Sequence, residues 1–388
     1  MPIPTLVLAM VINSTSPEIC PTVAVPLGPR SYNIRVVTND PAGFGPFARA
    51  ELARTWAGAS CRSALIVTDL HIADLGVPAT IQASLSDVGI AAAITVLPPG
   101  ESTKSLEQAS RLYDELVKIK ADRHTLIVGL GGGVIGDLAG FVAATFARGL
   151  PLIMVPTTLL AQVDSSVGGK VGINHPDAKN IIGAFHQPAG VWIDTKSLST
   201  LPTRELRCGL AEAVKYGMIL DAEFFAILEQ IAEDILSREH GALERVILRC
   251  CQLKAEVVTQ DEREETGLRA MLNFGHTVGH AIEATAGYDG RYKHGEAVAV
   301  GMVAECRLAE RLGWIKGNVT DSLVRLLERF GLPTRAPELD ANHLIDAMSR
   351  DKKNRRGKIR FVLPRSLGKV ELTDAAGVDD IRAVLTAS

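Results

Sequence analysis

The sequence predicts an α/β N-terminal half with a mostly parallel sheet over residues 1–201, followed by an α-helical C-terminal half over residues 202–388. Three observations carry this. Short β-rich runs alternate with amphipathic helical stretches as far as Pro202. Beyond Leu201-Pro202 strand patterns nearly stop and long helical patterns take over. The chain's 388 residues exceed the roughly 150 of a typical single domain.

In chain order, Leu6 to Ile12 is apolar without a preceding Lys or Arg. It falls well short of the roughly 20 residues a membrane span needs and reads as an irregular or strand-forming start. Strands are predicted at Asn33–Val37, Ala64–Thr68, Ile94–Leu97, Thr125–Gly129, Leu152–Val155 and Val191–Ile193. Between them, Leu106, Ala109, Leu112, Leu116 and Ile119 recur at three- and four-residue spacing, the apolar face of a helix covering a sheet. The second half predicts helices at Arg204–Met218, Ala222–Ser237, Gly241–Val258, Met271–Thr285 and Val298–Leu312. A small two-stranded appendage, Lys358–Leu363 with Lys369–Leu372, follows the basic run 351–356.

Lys plus Arg number 41 against Asp plus Glu 44, so no broad positive field exists to attract nucleic acid or anionic lipid, and any anion recognition is local. Six cysteines contain no CxxC pair, which points to buried thiols in a reducing, cytoplasmic setting rather than a disulfide framework.

Gly129-Leu130-Gly131-Gly132-Gly133-Val134-Ile135-Gly136-Asp137 follows a predicted strand and opens an apolar helix running to Phe146. Consecutive glycines let a backbone approach a pyrophosphate, and the helix N-terminus offers free N–H groups, so the turn suits a dinucleotide. The plainer alternative is a tight strand-to-helix turn that binds nothing. Asp69 at a strand end, and Glu101 and Lys104 in Pro99-Gly100-Glu101-Ser102-Thr103-Lys104, are candidate ribose and cofactor contacts or else solvated loop charges.

His276 and His280 are four apart, so a helix puts both on one side, and His294 follows in Lys293-His294-Gly295-Glu296. A catalytic divalent ion takes three protein ligands and keeps a position open. Spacing alone nominates His276, His280 and His294, while Glu212 competes because an acid on an apolar helix face needs a partner to be buried. Core or capping histidines are the bland reading. Between the two sets, Lys170 after Gly168-Gly169 resembles a phosphate contact without P-loop order. Arg148, Lys179-Asn180, Lys254, Arg269 and Lys352 add cations in polar or glycine-rich settings, suggesting a small, multiply anionic substrate.

These segments, read together, resemble the 3-dehydroquinate synthases among the sugar-phosphate cyclases. The resemblance is carried by GLGGGVIGDLAGFVAATFARG from Gly129, VPTTLLAQVDSSVGGKVGIN from Val155, KNIIGAFHQP from Lys179, LAEAVKYG from Leu210, LRAMLNFGHTVGHAIEA from Leu268, HGEAVAVGM from His294 and DKK at Asp351. It spans about Val23 to Val384 in the family's order. It implies an N-terminal dinucleotide-binding domain and a C-terminal metal-binding domain. The implied reaction converts 3-deoxy-D-arabino-heptulosonate 7-phosphate into 3-dehydroquinate and phosphate, through transient oxidation by NAD, phosphate elimination, reduction and aldol closure.

Residue by residue, the resemblance implies metal ligands Glu212, His276 and His294 for zinc or cobalt, and moves His280 to proton transfer or phosphate contact. NAD would be held by Asp69, Glu101, Lys104, Gly132, Gly133, Val134, Asp137, Thr157, Thr158, Lys179 and Thr200. Substrate would meet Asp164, Lys170, Asn180, Lys215, Lys254, Arg269, Asn273 and Lys352 or Lys353, with Arg148 reaching a neighbouring subunit of a homodimer. Glu265 takes an acid–base role for which Glu264 competes, because the 261–267 stretch is one residue longer than a common family form. His71 stands where the family often has asparagine. Another cyclase making a cyclitol, and more distantly a metal-dependent polyol dehydrogenase, are the competing functions.

Overall fold

The computed structural model describes residues 21–56, 61–176, 178–287, 290–336, 338–349 and 359–386. The candidate residues Lys352 and Lys353, the basic run and the Leu6–Ile12 stretch lie outside them. A seven-stranded sheet is built from β1 (Thr22–Val25), β2 (Tyr32–Val37), β3 (Ser63–Asp69), β4 (Ala91–Leu97), β5 (Leu126–Gly131), β6 (Leu152–Pro156) and β9 (Gly190–Asp194). Between β6 and β9 in sequence, β7 (Lys170–His175) and β8 (Ala178–Phe185) form a separate antiparallel hairpin. A second ribbon near the C-terminus pairs β10 (Phe361–Ser366) with β11 (Lys369–Thr373).

The sheet order is β1-β2-β9-β6-β5-β3-β4, and every pairing is parallel except β1 with β2. Helices cover both faces, so β5 and β6 are buried at every residue, which explains why their sequence reads as an unbroken apolar run rather than an alternation. From β3 the chain steps outward to β4, then returns to place β5 on the other side of β3. That reversal opens a crevice beyond the strand ends. Registers pairing Asp69 with Leu97 and Gly131 with Pro156 bring the four C-terminal ends level there.

The six predicted strands all form. The hairpin β7–β8 went unpredicted, because its glycines and largely exposed β8 show no alternation. A Cβ on Gly172 would stand 2.8 Å from the Ile182 carbonyl oxygen, so glycine permits that pairing.

After residue 202 the main helices are Thr203–Ile219, Ala222–Gln230, Ala232–Leu236, His240–Gln260, His276–Thr285, His294–Arg311, Gly317–Arg329, Ala341–Ser349 and Val378–Thr386. Predicted helix Ala222–Ser237 is broken at Ile231 (φ −102°, ψ 18°). Predicted helix Met271–Thr285 is also two pieces. Arg269–Asn273 is a 3-10 turn, Phe274 is extended (ψ 129°), Gly275 is left-handed (φ 77°), and the α-helix starts at His276. The helix predicted from Val298 starts earlier, at His294, where the Glu296 carboxylate accepts the Lys293 N–H at 2.9 Å. The last three helices were not predicted.

One hydrophobic core runs through both halves, from Leu65 and Leu138 to Tyr216, Leu253 and Phe274. Each fully buried side chain of this size stabilises the fold by about 1.5–3 kcal/mol. Five cysteines, Cys61, Cys208, Cys250, Cys251 and Cys306, are buried free thiols, as their spacing predicted, and the last three lie within this core. Among the described residues no helix is long and apolar enough to cross a membrane.

Candidate active site

The crevice at the strand reversal holds the glycine turn. A Cβ on Gly131 would stand 2.8 Å from Ile135 Cβ, one on Gly132 3.1 Å from Thr158 Cγ2, and one on Gly133 3.1 Å from Ser165 Oγ. Side chains there would fill the space before the first turn of helix Gly133–Thr145, whose N-terminal amides face an incoming anion. The buried Thr157 hydroxyl, just past the end of β6, has no hydrogen-bond partner among the described residues. An orphaned hydroxyl beside a glycine cradle fits a dinucleotide. Asp69 ends β3 in the same crevice, where its Oδ1 caps a short helix by accepting the Ile72 N–H at 3.1 Å.

Buried Lys104 joins this crevice to the hairpin. Its Nζ donates to Asp137 Oδ2 at 2.7 Å and to Asn180 Oδ1, with Glu101 Oε1 3.9 Å away. Burial raises the Asp137 carboxyl despite Lys104. Asn180 adopts left-handed backbone (φ 53°), and its N–H donates to Asn174 Oδ1 at 2.8 Å.

Three helices bring Glu212, His276 and His294 together, with ligand atoms all within 4.8 Å of one another. Glu212 is fully buried. Its Oε2 pairs with Lys215, while Oε1 has no hydrogen bond among the described residues and faces His276 Nε2 at 3.6 Å and His294 Nε2 at 3.8 Å. His276 Nδ1 lies 3.1 Å from the Phe274 carbonyl and His294 Nδ1 3.1 Å from Glu283 Oε2. With both Nδ1 atoms on acceptors, the neutral imidazoles present Nε2 lone pairs. One carboxylate and two imidazoles is a donor set that fits a divalent ion such as zinc.

A second set, His280, Glu283 and His294, meets the same spacing. Its carboxylate, however, is spoken for: Glu283 Oε1 accepts from Lys179 Nζ at 3.3 Å and Oε2 faces His294. Burial would raise the Glu283 carboxyl, yet His294 and Lys179 bring it down to about 2. Close packing enables the convergence. Gly295 lies against Cys208, where a Cβ would sit 2.5 Å from Cys208 Cα, and Gly279 against Ala297 and Val298.

Asp164 lies between these centres in a wide, π-type turn, Ala161–Ser165, closed by the Ser166 N–H on the Ala161 carbonyl at 3.1 Å. Its Oδ1 accepts from Lys254 Nζ at 2.7 Å and Tyr216 Oη at 2.8 Å. Burial opposes its ionisation, but Lys254 and Lys215 hold it well below the usual carboxylate range. Burial likewise works against charge on Lys215, yet Glu212 and Asp164 raise it above an ordinary lysine. Burial lowers Lys254 in spite of Asp164. Arg269, also lowered by burial, donates to the Gly168 carbonyl at 3.0 Å and the Glu262 carbonyl at 2.5 Å.

Lys170 pairs with Glu264 Oε2, and Asn273 Nδ2 donates to Glu264 Oε1 at 3.5 Å. Glu264, not Glu265, therefore faces the candidate cluster. Glu265 is exposed and engages through its backbone N–H, which donates to Asp261 Oδ1 at 2.8 Å. Glu264 turns inward on left-handed backbone (φ 61°). Thr200 is exposed, its hydroxyl donating to the Ser197 carbonyl at 3.3 Å, and Arg148 is exposed on the surface. Sequence reasoning missed Tyr216 and Glu283. Their signal was polar groups on helix faces otherwise lined by apolar or small residues.

With this geometry in hand, comparison with known proteins is specific. The 3-dehydroquinate synthase N-terminal model matches residues 94–208 and the C-terminal model residues 209–354. The 3-dehydroquinate synthase of Desulforamulus reducens is 50% identical over 366 residues, covering 94% of this chain and 99% of that protein. A 2-deoxy-scyllo-inosose synthase solved with carbaglucose-6-phosphate, NAD+ and Co2+ is 26% identical, with TM-score 0.82 over 95% of this chain and all of the other. The 2-epi-5-epi-valiolone synthase of Streptomyces hygroscopicus subsp. jinggangensis, solved with NAD+ and Zn2+, is 26% identical, with TM-score 0.80 over 92% and 96% of the two chains.

Proposed function

The chain belongs to the 3-dehydroquinate synthase family, and we propose that the residues gathered above carry out that family's reaction here. The enzyme converts 3-deoxy-D-arabino-heptulosonate 7-phosphate into 3-dehydroquinate and phosphate, with NAD and a divalent ion as cofactors. When bound, NAD supplies reversible hydride acceptance and the ion, zinc or cobalt, supplies Lewis acidity at a hydroxyl being oxidised. The chain divides near Leu201 into a cofactor half and a metal half.

The glycine turn, Thr157, Thr158, Asp69, Glu101, Lys104, Asp137 and Lys179 hold NAD, and Glu212, His276 and His294 hold the ion. Asp164, ionised beside Lys254 and oriented by Tyr216, accepts a hydrogen bond from a substrate hydroxyl. Lys170, Lys215, Lys254, Arg269, Asn180 and Asn273 orient the substrate's carboxylate and phosphate. Each cation already rests on a carboxylate or carbonyl, so it stays fixed until an anion arrives. His280, with its ring centroid 5.4 Å from that of His276, takes part in proton transfer, and Glu264 rather than Glu265 steadies Lys170. Arg148 serves the neighbouring subunit of a cytoplasmic homodimer from its exposed, left-handed position (φ 66°).

The observation that carries the reading is Glu212 Oε1, buried without a hydrogen bond among the described residues and 3.6 and 3.8 Å from two imidazole nitrogens. The test is phosphate release from the heptulosonate phosphate by purified protein with NAD+ and zinc, with and without a chelator. Release without lasting NADH, abolished by the chelator, is expected. Net NADH formation would indicate a polyol dehydrogenase, and turnover of sedoheptulose 7-phosphate in its place a cyclitol synthase. Either refutes the proposal.

A further inference from the structure

We propose that Glu283 is a positioning residue for His294, fixing the tautomer and ring orientation with which that histidine binds the divalent ion. The inference rests on the reading of Glu212, His276 and His294 as ligands. Glu283 lies seven residues after His276 on the same helix, two turns along and on the same side. It is 8% exposed and divides its carboxylate between two halves of the molecule: Oε2 lies 3.1 Å from His294 Nδ1, and Oε1 accepts from Lys179 Nζ of β8 at 3.3 Å.

A carboxylate cannot donate, so the Nδ1 it faces carries the proton, and in the neutral, metal-binding imidazole Nε2 keeps its lone pair, on the side of Glu212 Oε1 at 3.8 Å. His276 obtains the same orientation from a backbone carbonyl, Phe274 O at 3.1 Å, which no side-chain substitution removes. The two imidazoles thus meet different partners at Nδ1, a backbone carbonyl for His276 and a side-chain carboxylate for His294. An ionised partner on Nδ1 also makes Nε2 a better donor to a cation. The competing explanation is structural: Glu283 and Lys179 simply pin the hairpin to the helix.

The experiment measures zinc affinity of the full chain, stripped and titrated against a chromogenic chelator, for wild type, Glu283→Ala, Glu283→Gln and Lys179→Met. The visible spectrum of each cobalt form and the melting temperature of each apo form accompany it. Loss of the carboxylate in Glu283→Ala should weaken zinc about 10- to 100-fold. Glu283→Gln, which keeps an acceptor without the charge, should lose about fivefold. Both should shift the cobalt bands. Lys179→Met, which breaks the hairpin pair and leaves His294 its partner, should stay within about threefold of wild type. Wild-type affinity in both Glu283 variants overturns the inference while leaving the ligand reading intact, as does a loss in Lys179→Met equal to that in Glu283→Ala. If Glu283→Ala does not fold, Glu283→Gln decides alone by the same criterion. A wild-type chain that takes up no zinc overturns the ligand reading and this inference with it.

Discussion

Replacing Gly295 by alanine puts a methyl group where two ligand-bearing helices touch. The added Cβ would lie 2.5 Å from Cys208 Cα and 2.7 Å from its carbonyl carbon. Carbon atoms in contact normally stand about 3.5–4.0 Å apart, so one backbone has to move by about 1 Å. The atoms in the way are main chain, with no rotamer to yield. One helix begins with His294 and the other, Thr203–Ile219, carries Glu212, so the shift falls between two of the proposed metal ligands. Ligand distances tolerate about 0.2 Å. Overpacking of this kind costs about 1–3 kcal/mol of stability, and a misplacement of about 1 Å can lower a rate about 100-fold. Isothermal titration with zinc, titration with NAD+ and the phosphate-release rate check this in one preparation. Expected are a large loss of zinc affinity and rate with NAD+ affinity within about twofold, since the glycine turn lies on a different element. A folded Gly295→Ala protein that binds zinc and turns over like wild type would refute the reasoning.

Thr157→Val removes a buried hydroxyl that has no hydrogen-bond partner among the described residues; NAD+ titration should show binding weakened about tenfold, with the apo melting temperature unchanged or raised. Lys215→Met strips the buried Glu212 of its counter-ion; urea unfolding should record a loss of about 3–5 kcal/mol without metal, partly restored by zinc, which supplies Glu212 with positive charge. Asp261 accepts the N–H groups of Glu265, Thr266 and Arg269, and these outweigh the burial that would raise its carboxyl, leaving it at about 2. Because the folded value is depressed, its stabilisation is present above the unfolded value near 4 and is lost as pH falls toward 2. Asp261→Asn should therefore melt below wild type at pH 7, and the gap should close toward pH 2.

The sheet was legible because its strands are apolar, β-branched runs buried on both faces, and β5 and β6 announce themselves in any window. The hairpin β7–β8 was not, since its pairing depends on glycines and its outer strand is largely exposed. The break before His276 was equally hidden. Apolar spacing runs on through Met271 and Leu272, and it is the extended Phe274 followed by the left-handed Gly275 that interrupts the helix. At the proposed metal site, helical spacing pointed to His280 as readily as to His276, whereas Glu212 lies on another helix whose approach is a matter of packing. Glu264 and Glu265 are adjacent, and the choice turns on Asp261 capturing the backbone N–H of the second while the first swings inward. Tyr216 and Glu283 illustrate the limit: a polar group on such a helix face signals a partner without naming it.

The wide turn at 161–165 carries a consequence for how this segment tolerates change. Its closing bond spans five residues where an α-helix spans four, so one residue is wound in beyond ordinary helical phase. An α-helix advances about 100° per residue. Deleting Ala161, Gln162 or Val163 would let the backbone settle into regular helix while rotating Asp164 away from Lys254 and Tyr216. The easiest local repair would thus misaim the carboxylate, and length in this stretch is held by the direction of one side chain.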